Sequence, residues 1–244
     1  MIKFFRHIRR RLLAESRFTR YLLYAVGEIV LVVIGILIAL QVSTWNQERQ
    51  ARNKEKVLLQ ELHEEFKANK AQLEEVISFH RKAMMSAKAI IAEFPIKVDS
   101  LDLDSFQVKS KGMGYRYTFN PSQGIINSLV NTSSFELISD PELRKLLVSW
   151  NDVLADYQEE EKIASQVLIG TITPYLIKHF AFFDGLQDPR IDLSFLESTE
   201  YENLVILRHM NLKDILGTDG VNGELGVIQE TIDRIIELSA PPEE

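Results

Sequence analysis

Glu28 is the residue whose position most demands a chemical explanation, because it is the one charge in the otherwise uncharged, largely apolar run of residues 21–45. An ionised carboxylate in hydrocarbon is costly, and such residues usually face a partner or water and often mark a function. Glu28 lies seven residues past Tyr21, about 10 Å along a helix rising 1.5 Å per residue. Two readings follow. In the first, the carboxylate sits near the membrane interface and pairs with Arg20 or another basic side chain. In the second, it shares a helix face with Leu31, Val32, Gly35 and Ala39, which fall on one side by i, i+3, i+4 spacing. Gly35 and Ala39 are four residues apart and form a small-xxx-small pair that lets backbones approach closely. These five residues are the candidate helix-contact set for a homo-oligomer or an integral-membrane partner.

Other residue types that do chemistry are present without the spacing that chemistry needs. His7, His63, His80, His179 and His209 form neither His-Glu-x-x-His nor Glu-x-x-His, so zinc-protease and di-iron readings lack their ligands. These histidines are expected on surfaces or helix faces. The chain has no cysteine, which removes thiol nucleophiles, thiolate metal sites and any disulfide framework. Neither Gly-x-Ser-x-Gly nor Gly-x-x-x-x-Gly-Lys occurs. Asp156, Glu159, Glu160 and Glu161 cluster, and the expected reading is a solvated helix face. Gly217, Gly220, Gly223 and Gly226 recur every third residue beside Asp219, Asn222 and Glu224. They do not match a calcium loop, and a flexible turn before a helix is expected. The reading is therefore of a non-enzyme, with no catalytic residue, cofactor or metal ligand assigned.

The elements around these residues begin with a membrane span. A hydrocarbon core about 30 Å thick needs roughly 20 helical residues; residues 21–45 meet that length, with Tyr21, Tyr24 and Trp45 near the ends, where amphipathic rings favour the interface. The first twenty residues carry Lys3, Arg6, Arg9, Arg10, Arg11, Arg17 and Arg20 against Glu15 alone. Such a basic flank stays in the cytoplasm. The whole chain has net charge −7, so the part beyond the span is strongly acidic, which is the wrong sign for nucleic-acid binding. The apolar run is too long for a cleavable signal peptide, and residues 40–43 make a poor cleavage context. An uncleaved signal anchor fits better, with the N-terminus cytoplasmic and the C-terminal domain periplasmic in a bacterial inner membrane. Ile2, Phe4, Phe5, Ile8, Leu12 and Leu13 alternate with the arginines near helical spacing. Residues 1–20 thus read as a basic amphipathic segment on the anionic leaflet of the lipid bilayer.

From residue 46 the pattern is helical. No Gly or Pro occurs in residues 36–94, and Leu58, Leu62, Phe66, Leu73, Val76, Ile77, Met84, Ala87, Ile90, Ile91 and Phe94 recur close to every 3.6 residues. Pro95 closes this helix. Residues 96–120 carry three aspartates and two glycines and predict a loop with a short strand or hairpin. Asn120-Pro121 reads as an N-cap and first helical residue of a short helix to about Val130. Asp140-Pro141-Glu142 repeats that signal and launches a second long helix kinked near Pro174. Residues 185–196 read as a loop, residues 199–212 as a helix, and residues 224–238 as a final helix. The expected fold class is mainly α: one transmembrane helix, then an irregular, elongated helical bundle over residues 46–244 built on two long helices.

The opening residues 1–6 (MIKFFR), the run of residues 21–41 (YLLYAVGEIVLVVIGILIALQ) and Trp45-Asn46 resemble a family of single-pass inner-membrane proteins of unknown function common in Bacteroidota. Phe119-Asn120-Pro121 with Gly124, Phe135-Glu136-Leu137-Ile138, Leu143-Arg144 and Trp150 are similar to that family's exported region. The resemblance implies a Gram-negative host and a recurring membrane segment containing Glu28 and the Gly35 face, and it brings no activity with it. Three functions fit this layout. The first is a membrane-anchored scaffold or accessory subunit; the second is a ligand-sensing or signal-relay module; the third is a stator-like ion-coupled subunit in which Glu28 relays protons.

Overall fold

The computed structural model describes residues 17–132, 134–181, 184–217 and 223–241. The basic residues Arg6, Arg9, Arg10 and Arg11, and Gly220 of the glycine series, lie outside the described residues. The chain divides into two units, Met1–Glu55 and Lys56–Glu244, and helix α1 (Arg17–Ile91, 75 residues) contributes to both. Among the described residues there is no strand, only one isolated bridge between Ala181 and Gly185.

In the first unit α1 carries the apolar run. Arg17 and Arg20 lie on its first turns. This helix is long and apolar enough to cross a membrane, and none of its apolar window is buried. Leu31 is 73% exposed and Trp45 63%. Water-exposed aliphatic surface on this scale forfeits about 25 cal/mol per Å², and an apolar run left bare all round the helix is what lipid or a partner covers.

In the second unit α1 presents a stripe to a core. Leu62, Phe66, Asn69, Leu73, Val76, Ile77, His80, Ala83, Ala87 and Ile90 are buried, and apart from the adjacent Val76 and Ile77 they follow one another at steps of three and four that keep them on one side. Phe66 meets Trp150 edge-on, with ring centroids 4.8 Å apart, a geometry worth about 0.5–1.5 kcal/mol beyond area burial. The second long helix, α4 (Pro141–Val167), starts as its sequence signals: Asp140 Oδ1 accepts from the backbone N–H of Glu142 and Leu143, each at 2.8 Å. Its buried stripe is Leu143, Leu147, Trp150, Leu154, Tyr157, Glu161 and Ala164. It packs against α6 (Thr199–Leu216) and α7 (Glu224–Leu238). At the α4–α7 contact the Arg234 guanidinium forks onto Glu142, with Nε to Oε1 and Nη2 to Oε2 both at 2.7 Å. Gly217 closes α6 with φ of 60°, a left-handed cap that glycine adopts without Cβ strain. Two members of the glycine series therefore serve helix ends, since Gly223 is the N-cap position of α7.

Four sequence expectations are corrected or refined. Residues 96–120 contain a 3-10 turn, Val98–Ser100, and a helix α2 (Leu103–Met113) in place of a hairpin. Asp102 caps α2 by accepting from Asp104 and Ser105 N–H, and Phe106 and Met113 bury its inner side. The helix expected to start at Pro121 begins instead at Gly124, as α3 (Gly124–Thr132). The long first helix stops at Ile91, before Pro95. The kink expected near Pro174 is a π-helical turn, Leu168–Ile172, leading into α5 (Thr173–His179).

Candidate functional site

Residues 114–123 connect α2 to α3 without regular secondary structure. An irregular segment packed on a core must satisfy its backbone polar groups from elsewhere, and here long side chains do so. Arg208, buried on α6, donates from Nη2 to Tyr115 O at 2.7 Å and from Nε to Met113 O at 3.3 Å. Burial pushes its guanidinium down to about 10. At the far end Asn69 of α1 pairs with Ser122 in both directions: Nδ2 donates to Ser122 O at 2.9 Å, and Ser122 N donates to Oδ1 at 2.8 Å.

Glu65, one turn before Asn69 on α1, completes the exit. Its Oε2 accepts from Ser122 Oγ at 2.9 Å and from Ile125 N at 3.4 Å, so α3 is capped by a carboxylate from another helix, placed where the dipole favours negative charge. A Cβ at position 124 would come within 3.3 Å of that oxygen, and glycine there permits the close approach.

The centre of the segment is held by a buried polar pair. His80 of α1 and Glu161 of α4 are each 3% exposed, and His80 Nε2 donates to Glu161 Oε1 at 3.1 Å. The other oxygen, Oε2, accepts from Phe119 N at 2.8 Å. Gln158, one turn earlier on α4, donates from Nε2 to Phe119 O at 2.7 Å, so both backbone groups of Phe119 are taken by α4 while its ring is wholly buried. Burial, and then the neighbouring Glu161 carboxylate, push the Tyr157 hydroxyl well above the usual phenol range.

This geometry corrects two sequence readings. His80 is a core residue and Glu161 belongs to the buried stripe of α4, whereas Asp156 and Glu159 of the same cluster are exposed. The signal was available: His80 lies three residues after Ile77 and Glu161 four after Tyr157, each on the apolar face of its helix.

Beside this pair lies a cleft of about 570 Å³. Thr118 and Asn120 line it from the extended segment, Gln158, Ser165 and Gln166 from α4, and Ile169 and Gly170 from the π-helical turn, with Glu161 and Lys162 completing the wall. π-turns inside helices occur frequently at functional sites, and this one places Thr173 Oγ1 on Leu168 O at 2.7 Å. Among the described residues no group of three or more His, Cys, Asp or Glu is placed to hold a metal ion. The arrangement can bind through hydrogen bonds.

The candidate helix-contact residues Glu28, Leu31, Val32, Gly35 and Ala39 are all exposed on α1. A Cβ at Gly35 would meet nothing within 4 Å, so no neighbour within the chain requires its small size.

No curated protein and no solved structure matches the chain. Residues 28–149 match the model of a family of unknown function, DUF6090. That match takes in the candidate contact face, His80 and the whole extended segment with its α1 anchors, and by it the chain belongs to the DUF6090 family.

Proposed function

We propose that the protein is a membrane-anchored, non-enzymatic scaffold or accessory subunit, fixed by residues 21–45 in the inner membrane of a Bacteroidota bacterium, with its helical unit in the periplasm. The observation that carries this reading is the bare apolar surface of α1, half or more exposed from Ile34 through Leu40 at every large side chain. Burial in a bilayer removes that penalty, and the arginine-rich flank orients the span with its N-terminus inside. Affinity purification of the full-length protein in mild detergent tests this. Reproducible recovery of an integral-membrane partner supports the accessory role, and self-association alone supports a homo-oligomeric scaffold. A monomer that elutes without partners, and is released from membranes by alkaline carbonate, sinks both.

A second reading, ligand sensing, is favoured by the cleft against the π-helical turn, because small-molecule sites are concave and commonly 300–1,000 Å³ and this cleft is about 570 Å³.

A further inference from the structure

We propose that the cleft between residues 118–120 and the π-helical turn binds an uncharged, hydroxyl-rich saccharide of one or two rings. The inference rests on reading the cleft as a ligand site, and the chemistry of its wall narrows the class. Among the described residues of the wall Glu161 is the one carboxylate, and both of its oxygens are engaged, by His80 and by Phe119 N–H. Its charge is committed to the fold. What remains is neutral save Lys162: the amides of Asn120, Gln158 and Gln166 and the hydroxyls of Thr118 and Ser165.

Two of the amides are already oriented. Gln158 Nε2 donates to Phe119 O, and Asn120 Nδ2 donates to Thr118 O and Oγ1 at 3.3 and 2.9 Å. Each amide oxygen is then left to accept, while Gln166, Ser165 and Thr118 both donate and accept. A sugar hydroxyl also does both, so a row of neutral amides and hydroxyls pairs with vicinal hydroxyls without stranding a charge. An anionic ligand would find one lysine, and a cationic ligand no uncommitted carboxylate. Ile169, half exposed on the π-helical turn, offers an apolar surface for the C–H face of a ring. At Gly170 a Cβ would meet nothing within 4 Å, so the turn presents open space at that edge.

The test uses the full-length chain in lipid nanodiscs, free of sugar-based detergent, with ligand-observed saturation-transfer NMR. The probes are cellobiose, maltose and N,N′-diacetylchitobiose, with glutamate as the charged comparison. At least one disaccharide is expected to bind. Ser165→Trp, which fills the cleft, abolishes that binding, and Gln166→Ala weakens it about fivefold, the loss of one hydrogen bond, with melting temperature unchanged in both. Glutamate binding that Lys162→Ala removes, with no saccharide bound, overturns the saccharide inference and keeps the cleft as a ligand site. Saccharide binding that survives both Ser165→Trp and Gln166→Ala places the sugar elsewhere and overturns the inference. No binding by any probe overturns the inference and the sensing reading together.

Discussion

Removing His80 should expose how much of the second unit depends on one buried contact. In His80→Leu the Glu161 carboxylate keeps Phe119 N–H but loses its partner across the helix pair, in a site where its side chain is 1% exposed. Breaking a buried pair by removing one partner typically costs about 3–5 kcal/mol, because the remaining charge is left uncompensated. Glu161→Leu should cost a similar amount, since it strands both the buried imidazole and Phe119 N–H. The double variant has no charge left at this site, and its main defect there is the orphaned Phe119 N–H, worth about 1–3 kcal/mol. The two single losses therefore exceed the double loss, and the double-mutant cycle yields a coupling of several kcal/mol. Urea unfolding of the full-length protein in detergent, followed by far-ultraviolet circular dichroism, measures all three. In thermal melts the single variants should fall by about 10 °C. A single-variant loss under about 1 kcal/mol, or a double loss equal to the sum of the singles, refutes the reasoning that Glu161 is a charge held by His80.

Other outcomes follow from the same geometry. Arg208→Met frees Met113 O and Tyr115 O and should speed tryptic cleavage after the exposed Arg116, read as the half-life of the intact chain; an unchanged half-life would mean the guanidinium does not hold the segment. Asp140→Ala removes the one oxygen that accepts both N–H groups at the start of α4 and should lower stability by about 1 kcal/mol, measured by the urea midpoint. Asp188 is buried, and the Arg190 hydrogen bonds hold its carboxyl down to about 2. Its folded value lies below the unfolded one, so its contribution is complete above about pH 4 and is lost as pH falls toward about 2. Asp188→Asn should thus melt lower than the parent at neutral pH and approach it across that window; a constant gap would contradict the assignment.

The long helices were legible because their stripes repeat every three or four residues over many turns, and Asp140-Pro141 signalled α4 locally. Two local signals misled. Asn120-Pro121 carries the composition of a helix start, yet the cap of α3 is Glu65, an acidic residue 59 positions before Gly124 that no local window contains. In residues 96–120 the aspartates and glycines masked α2, whose fully buried residues are Phe106 and Met113, seven positions apart. The cleft was equally hidden, since its wall joins residues 118–120 to residues 158–170 and depends on hydrogen bonds across that gap. The His80–Glu161 pair was misread for a related reason: each residue interrupts the apolar stripe of its helix, but as polar types they were assigned to a surface or helix face and to a solvated face, and the contact that buries them joins residues 81 positions apart.

The central claim is that α1 anchors the chain in a membrane with the helical unit on the exported side. The protein contains no cysteine, so single cysteines report topology without background. Ser100→Cys, at an exposed position of the second unit, should react with a membrane-impermeant maleimide in intact spheroplasts. Ser16→Cys, ahead of the span, should react only after the membrane is permeabilised. Labelling in the reverse order, or protection of both positions until lysis, would contradict the account.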